Sequence, residues 1–249
     1  MQQFLNTRVR CIVGTMLVAG CLSLPSMAVA QETDYSDEYD QWQDFGERED
    51  PWERANRVVF RFNDTLDRWT LKPLAQGYQA VTPDVLEDGV HNVFRNLGEA
   101  RNLANNLLQF KLHDAGVDTA RFFFNTTFGL LGFFDVATKM GLQRNDEDFG
   151  QTLGAWGVKS GPYVVLPLLG PSTVRDTAAL YPDSFTRQYR YINDVPVRNS
   201  MFVLNVIDSR AKLLASERFI AGDKYRFIRN AFLQNREFRV RDGDVIDDF

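Results

Sequence analysis

The residues of this chain that could do chemistry are few, and their spacing suits none of the common reactions. Only two histidines occur, His91 and His113, and neither sits in an HExxH or another metal-spaced cluster, which argues against zinc hydrolysis. A Ser-His-Asp triad would need one of them, yet no GxSxG elbow is present to display a nucleophile. Gly170-Pro171-Ser172 offers a serine, but Pro171 removes an amide from the turn, and the segment reads as a loop corner. Gly157-Val158-Lys159-Ser160 lacks the loop length and the following helix of a phosphate cradle. Asp146-Glu147-Asp148 could hold a cation, but no EF-hand spacing surrounds it, and a solvated loop is the plainer reading. Asp135 with Asp176 is one example of a carboxylate pair that could serve an unrecognised hydrolase. Catalysis has no positive support, and neither a metal nor a cofactor is expected.

What the sequence does present is a physical problem. Between residues 121 and 176, an aromatic run holding Phe122, Phe123, Phe124, Phe128, Leu130, Leu131, Phe133 and Phe134 is followed by a second apolar run, Tyr163 to Leu169. The first run places apolar groups around the whole circumference of a helix, which calls for burial in a protein core or in lipid. Asn125-Thr126-Thr127 interrupts it, and it is too short for a spanning helix, which needs roughly 20 mostly apolar residues. Core and lipid both remain open on these residues alone.

The elements that must position this stretch are mostly helical. Asp50-Pro51 opens an amphipathic helix with Ala55, Val59, Phe62, Leu66 and Trp69 on one face, reaching about Leu71. Thr82-Pro83-Asp84 starts a second, with Val85, Val90, Val93, Phe94 and Leu97 inward, and Glu99 to Phe110 repeats the pattern with Leu103, Leu107 and Phe110. Asp114 begins the helix that enters the aromatic run. From Arg144 to Ser172, glycines and prolines make regular helix improbable, and Tyr163 to Leu166 reads as an edge strand or extended loop. After Pro196 another helix carries Val197, Met201, Leu204, Ile207, Ala211 and Leu214, and Asp223 caps a last one, Lys224 to Phe238.

The chain of 249 residues is 44% hydrophobic and 24% charged, which suits a folded domain with a substantial core. A net charge of −5 argues against a nucleic-acid partner. Arg8 and Arg10 followed by the apolar Cys11 to Leu24 form an export signal. Two processing sites compete. One cuts after Ala30 in Ala28-Val29-Ala30, making 1–30 the signal peptide; the other, Val18-Ala19-Gly20-Cys21, would lipidate Cys21 and leave 1–20 as the leader. Both cysteines, Cys11 and Cys21, lie in this region, so the mature domain has no thiol chemistry. Residues 31–49 read as an acidic disordered tether, 50–240 as the folded domain, and 241–249 as an acidic tail.

At the central stretch the chain resembles the MlaA (VacJ) family of outer-membrane lipoproteins. Asp50-Pro51-Trp52-Glu53 with Asn56-Arg57, Phe60 and Phe62-Asn63 is similar to the family's opening. Arg121-Phe122, Asn125-Thr126, Gly129, Gly132, Asp135-Val136-Ala137, Phe149-Gly150, Thr152-Leu153-Gly154, Gly157-Val158, Gly161-Pro162-Tyr163, Leu166-Pro167, Gly170-Pro171-Ser172 and Arg175-Asp176 are similar to its centre. Tyr225, Arg229, Gln234, Arg236 and Phe238 are similar to its last helix. The resemblance implies an all-α single domain, a ring-like bundle of amphipathic helices with a Gly/Pro-rich central loop region. It further implies a seat in the periplasmic leaflet of the outer membrane of a Gram-negative bacterium, beside a trimeric porin. Such a protein takes phospholipid misplaced in the outer leaflet and passes it to a periplasmic lipid-carrier protein, without chemistry. On that basis Cys21 is the lipidation site and Phe122 to Phe134 the membrane belt. Gly154, Gly157, Lys159 and Gly161 form a channel hinge, with glycines permitting unusual backbone angles. Lys159 departs from the small residue common there and would offer charge to a phosphate. A lipoprotein that scaffolds porins and transports nothing is the alternative.

Overall fold

The computed structural model describes residues 50–243. The signal segment, Cys21, the acidic tether and the end of the acidic tail lie outside the described residues. The elements are helix α1 (Glu53–Leu66), α2 (Lys72–Val81), α3 (Asp84–Leu108), α4 (Leu112–Thr127), α5 (Val136–Lys139) and α6 (Phe149–Ala155). Strands β1 (Tyr163–Leu166) and β2 (Gly170–Thr173) follow, and then α7 (Val174–Thr186), α8 (Val195–Leu213) and α9 (Lys224–Val240). The fold is all-α apart from this one antiparallel pair, in which Tyr163 faces Thr173 and Leu166 faces Gly170. Among the described residues no helix is long and apolar enough to cross a membrane.

Local chemistry accounts for most boundaries. Asp50 Oδ1 accepts from Trp52 N at 3.0 Å and the Asp50 carbonyl accepts from Glu53 N, so Asp50 caps α1 although regular helix begins three residues on. At Pro73 the ring cannot donate and would press on the carbonyl four residues back, and the chain answers with a π-turn, Asp67–Leu71, that joins α1 to α2 without a break. Asp194 and Asp223 cap α8 and α9 through Val197 N and Tyr225 N. The expected pair of helices at 84–97 and 99–110 is a single helix, α3, because Gly98 is a tolerated interior glycine, not a terminus. The stretch expected to lack helix contains α6, which starts where Asp148 accepts from Gln151 N at 2.9 Å.

Contacts between elements close a circuit: α1 lies on β1, β1 pairs with β2, and β2 meets α7 and α9. These lean on α6, α6 on α3, α3 on α4 and α8, α8 on α2, and α2 returns through the π-turn to α1. Ion pairs help join the ends: Arg210 of α8 holds Asp67 in the π-turn (2.6 and 2.9 Å), Lys224 holds Asp64 (2.5 Å), and Arg57 holds Asp223 (2.6 Å).

The faces are the reverse of those expected for a protein surrounded by water. The inward face of α3 carries Glu87, Gly89, Asn96, Glu99, Asn102, Asn105 and Asn106, and that of α4 carries Ala115, Asp118, Arg121 and Asn125. Residues assigned inward from their periodicity lie outside: Val85, Leu107, Phe62, Trp69 (79% exposed) and Phe110 (84% exposed). The apolar period is real, but its direction is set by what surrounds the helix. A single apolar core cluster is present among the described residues, Tyr163, Val165, Tyr225 and Leu233 with Val59, Phe60 and Phe232 against it.

Candidate functional site

Side-chain amides do the work that a third strand would do. Asn56 and Asn63 are seven residues apart on α1 and so share a face. Asn56 donates to the Tyr163 carbonyl (3.0 Å) and accepts from Val165 N (2.9 Å); Asn63 donates to the Leu166 carbonyl (2.9 Å) and accepts from Leu168 N (2.9 Å). The free edge of β1 is thereby satisfied by a helix.

Three buried polar clusters tie the helices together. In the first, Arg121 (1% exposed) donates Nε to Glu99 Oε1 at 3.0 Å, Nη1 to Thr138 Oγ1 at 3.0 Å and to the Leu142 carbonyl, and Nη2 to Asp135 Oδ2 at 3.1 Å. Asn125 donates to Asp135 Oδ1 and accepts from Ala137 N. Burial alone would raise the Asp135 carboxyl, but bonds from Thr138 and then Arg121 outweigh it and hold its pKa at about 2. In the second, Arg236 of α9 clasps both oxygens of Asp148 (2.6 Å each) and both of Asp176 (2.8 and 3.0 Å). Burial opposes the charge on Asp148, yet Arg236 wins and keeps that carboxyl well below the usual carboxylate range. The third is Glu147, 1% exposed, which accepts from Gln109 at 2.8 Å and Lys111 at 3.2 Å.

Two sequence readings change here. Asp146-Glu147-Asp148 is no solvated loop: two of its three carboxylates are structural, engaged by partners far away in sequence. Asp135 and Asp176 belong to different clusters, Asp135 engaged by Arg121 and Asp176 by Arg175 and Arg236, and are not a hydrolase pair. His91 Nδ1 lies 2.7 Å from Asp208 Oδ2, His113 pairs with its neighbour Asp114, and Ser172 bonds Thr177, so these residues form no triad. Among the described residues no group of histidines and carboxylates has metal-binding geometry.

The aromatic stretch is not one helix. α4 ends at Thr127, and residues 128–135 form a tight loop held by Leu131 N to the Thr126 carbonyl (3.0 Å) and Gly132 N to the Asn125 carbonyl (2.8 Å). Asn96 reaches Thr126 Oγ1 (2.9 Å) from beneath. Phe122, Phe123, Phe128, Leu130, Leu131 and Phe134 are exposed, while Phe124 and Phe133 are half-buried. Phe133 lies over Gly89, where any Cβ would come within 2.0 Å of its ring. Leu130 (φ 53°) and Leu131 (φ 60°) both adopt the left-handed conformation, as do exposed Phe110 (φ 61°) and Leu168 (φ 66°). Each costs about 1–2 kcal/mol relative to right-handed backbone. Four large apolar residues are therefore held outward at turn tips against both hydration and backbone preference.

In the glycine-rich segment, Gly157 (φ 87°) and Gly161 (φ 68°) do use left-handed backbone. Gly154 does not: it lies within α6, and its need is space, since a Cβ would meet Val240 at 2.6 Å and Arg175 at 2.8 Å. Lys159 is exposed between the two turns. Two cavities are present elsewhere among the described residues. One, of about 610 Å³, lies between the 141–146 loop and the end of α9 and is lined by His113, Gln143, Arg144, Gln151 and Arg239. The other, of about 390 Å³, lies between α3, α8 and the end of α7 and is lined by Arg95, Arg101, Arg144, Arg187, Phe94 and Phe202.

Together these features describe a class: a helical protein with its polar groups cross-linked inside, its large apolar residues outside, and no spanning helix among the described residues. The chain belongs to the MlaA lipoprotein family, whose profile matches residues 48–239. It is 33% identical over 207 residues to the intermembrane phospholipid transport system lipoprotein MlaA of Haemophilus influenzae, covering 81% of this chain and 83% of that one. It is 34% identical over 204 residues to the protein of the same description from Escherichia coli K12, covering 80% and 81%. An uncharacterised protein of Rickettsia prowazekii is 42% identical over 196 residues, covering 77% and 78%. A solved structure described as the structural basis for maintenance of bacterial outer membrane lipid asymmetry superposes with a TM-score of 0.68 at 33% identity, covering 78% of this chain and all of that one.

Proposed function

We propose that this protein removes mislocalised phospholipid from the outer leaflet of the outer membrane and passes it to a periplasmic carrier, seated in the periplasmic leaflet beside a trimeric porin. The observation that carries the reading is the inverted distribution of polarity. A lipid needs an apolar wall for its chains and a polar path for its headgroup, and α3 and α4 present both on opposite faces. Exposed leucines and phenylalanines each forfeit roughly 1.5–3 kcal/mol in water and recover it in hydrocarbon. The relatives described as phospholipid transport lipoproteins support the same substrate. In this reading Phe122, Phe123, Phe128, Leu130, Leu131 and Phe134 form the belt, with Phe124 and Phe133 packing it to the body. Gly157 and Gly161 flank a movable lip that presents Lys159 to phosphate, Gly154 anchors the lip's base, and lipidated Cys21 adds an anchor.

The test is outer-leaflet phospholipid in cells lacking the protein, with and without a complementing copy. Accumulation reversed by the wild type, but not by a Phe128→Asp, Leu130→Asp copy that still reaches the envelope, supports removal through this surface. No accumulation would sink the transport assignment and leave the porin scaffold in its place.

A further inference from the structure

The cavity between α3, α8 and the end of α7 has an unusual charge balance. Arg95 and Arg101 of α3, Arg144 of the loop between α5 and α6 and Arg187 at the end of α7 line about 390 Å³ of space, and Asp146 is the one carboxylate among the lining residues. Asp146 is already engaged, accepting from Arg144 Nη2 at 2.7 Å. Arg95, Arg101 and Arg187 form no close ion pair among the described residues, although the buried Asp183 attracts Arg101 and Arg187 from farther off. One guanidinium donor, Nε of Arg101, is buried with no hydrogen-bond acceptor among the described residues, while Nε of Arg144 lies 3.5 Å from Glu99 Oε1. A buried donor without an acceptor costs roughly 1–3 kcal/mol, and such groups in a cavity wall point to something that supplies acceptors. Burial holds the Arg144 pKa below the ordinary arginine range, with Arg95 and Arg101 pushing the same way against Asp146 and Glu99. Beside these cations the rings of Phe94 and Phe202 give the cavity an apolar side. His91, also on the wall, turns Nδ1 to Asp208 behind it, and Asp208 is fully buried.

Resting on the lipid-transport reading, we infer that this cavity is a headgroup site that prefers glycerophospholipids of net negative charge. The guanidinium groups of Arg95, Arg101, Arg144 and Arg187 take the phosphodiester, and Phe94 and Phe202 cover the glycerol and the first chain carbons. A zwitterionic headgroup brings an ammonium that would meet the arginines first, with Asp146 and Glu99 already paired to Arg144 and Asp183 facing Arg101 and Arg187. An uncharged polyol headgroup adds hydroxyls and no repulsion.

The full-length protein, purified in mild detergent and exchanged against equimolar phosphatidylglycerol and phosphatidylethanolamine, is read by native mass spectrometry for retained lipid. Phosphatidylglycerol should be enriched by about tenfold, the equivalent of one charge-assisted contact. Arg95→Gln with Arg101→Gln should bring the ratio near parity; Arg187→Gln, on an exposed position that does not risk the fold, should lower it by about threefold. Equal retention of both lipids, or a preference unmoved in both variants, overturns the assignment. So does displacement of the preference by millimolar inorganic phosphate but not by glycerol phosphate, which makes the cavity a free-anion site. Failure here leaves the transport reading intact if outer-leaflet phospholipid still accumulates in cells lacking the protein; absence of that accumulation fails the transport reading itself.

Discussion

Asp118 of α4 is fully buried, and among the described residues no cation is bonded to it. Asn106 Nδ2 donates to its Oδ2 at 2.7 Å, but its Oδ1 has no partner, and neither has the Oδ1 of Asn106. Burial pushes the Asp118 carboxyl up to about 7; Asn106 pulls it down, Glu99 and Asp114 push it further up, and Arg144 opposes them. A proton on Oδ1 turns one orphan acceptor into a donor, and the Asn106 amide oxygen is the acceptor on the same partner. In the unfolded chain the group titrates near pH 4. Between about pH 4 and 7 the folded state therefore holds the extra proton, so this residue's contribution falls as pH rises through that window. Below about pH 4 it costs nothing; above about pH 7 the full cost applies, on the order of 4 kcal/mol. Asp118→Asn removes the titration and keeps the shape. In thermal unfolding followed by circular dichroism in detergent, the variant should match the wild type below about pH 4 and begin to exceed it by about pH 5. Near pH 8 it should exceed the wild type by about 10 °C, taking roughly 2–4 °C per kcal/mol for a domain of this size. A variant-minus-wild-type difference that stays flat from pH 5 to 8, or shrinks as pH rises, refutes the reasoning.

Further outcomes follow from other parts of the structure. Arg236→Met leaves Asp148 and Asp176 without their shared cation and should cost about 3–5 kcal/mol in chemical unfolding at neutral pH. Because the Asp148 carboxyl is depressed in the folded state, this difference should be complete above about pH 5 and shrink as pH falls below about 4. Gly129→Ala drives a Cβ to 2.2 Å from the Phe134 carbonyl, so the loop at 128–135 should open to limited proteolysis while the rest of the domain resists. Lys159→Ala, at an exposed position, should change the unfolding midpoint by less than the equivalent of about 0.5 kcal/mol, and any loss of lipid transfer would then be functional.

Sequence alone was sufficient for what depends on neighbours along the chain. Pro51, Pro83 and Pro196 mark helix starts, Asp223 supplies a cap, and Tyr163 to Leu166, read as an edge strand or extended loop, is a strand. Those signals act over three or four residues, so they survive any tertiary arrangement. The ordered motifs from Asp50 to Phe238 were likewise enough to place the chain in its family. Tertiary structure decided which way each amphipathic helix faces, because periodicity defines a stripe and says nothing of whether water or lipid lies beyond it. It alone showed that Arg236 joins Asp148 and Asp176, 88 and 60 residues away. It also showed that Asn56 and Asn63 complete a strand more than 100 residues on. A buried ion cluster is assembled from distant positions whose pairing leaves no local trace. For that reason the loop at 146–148 reads as solvent in the sequence and as part of the polar interior in the fold.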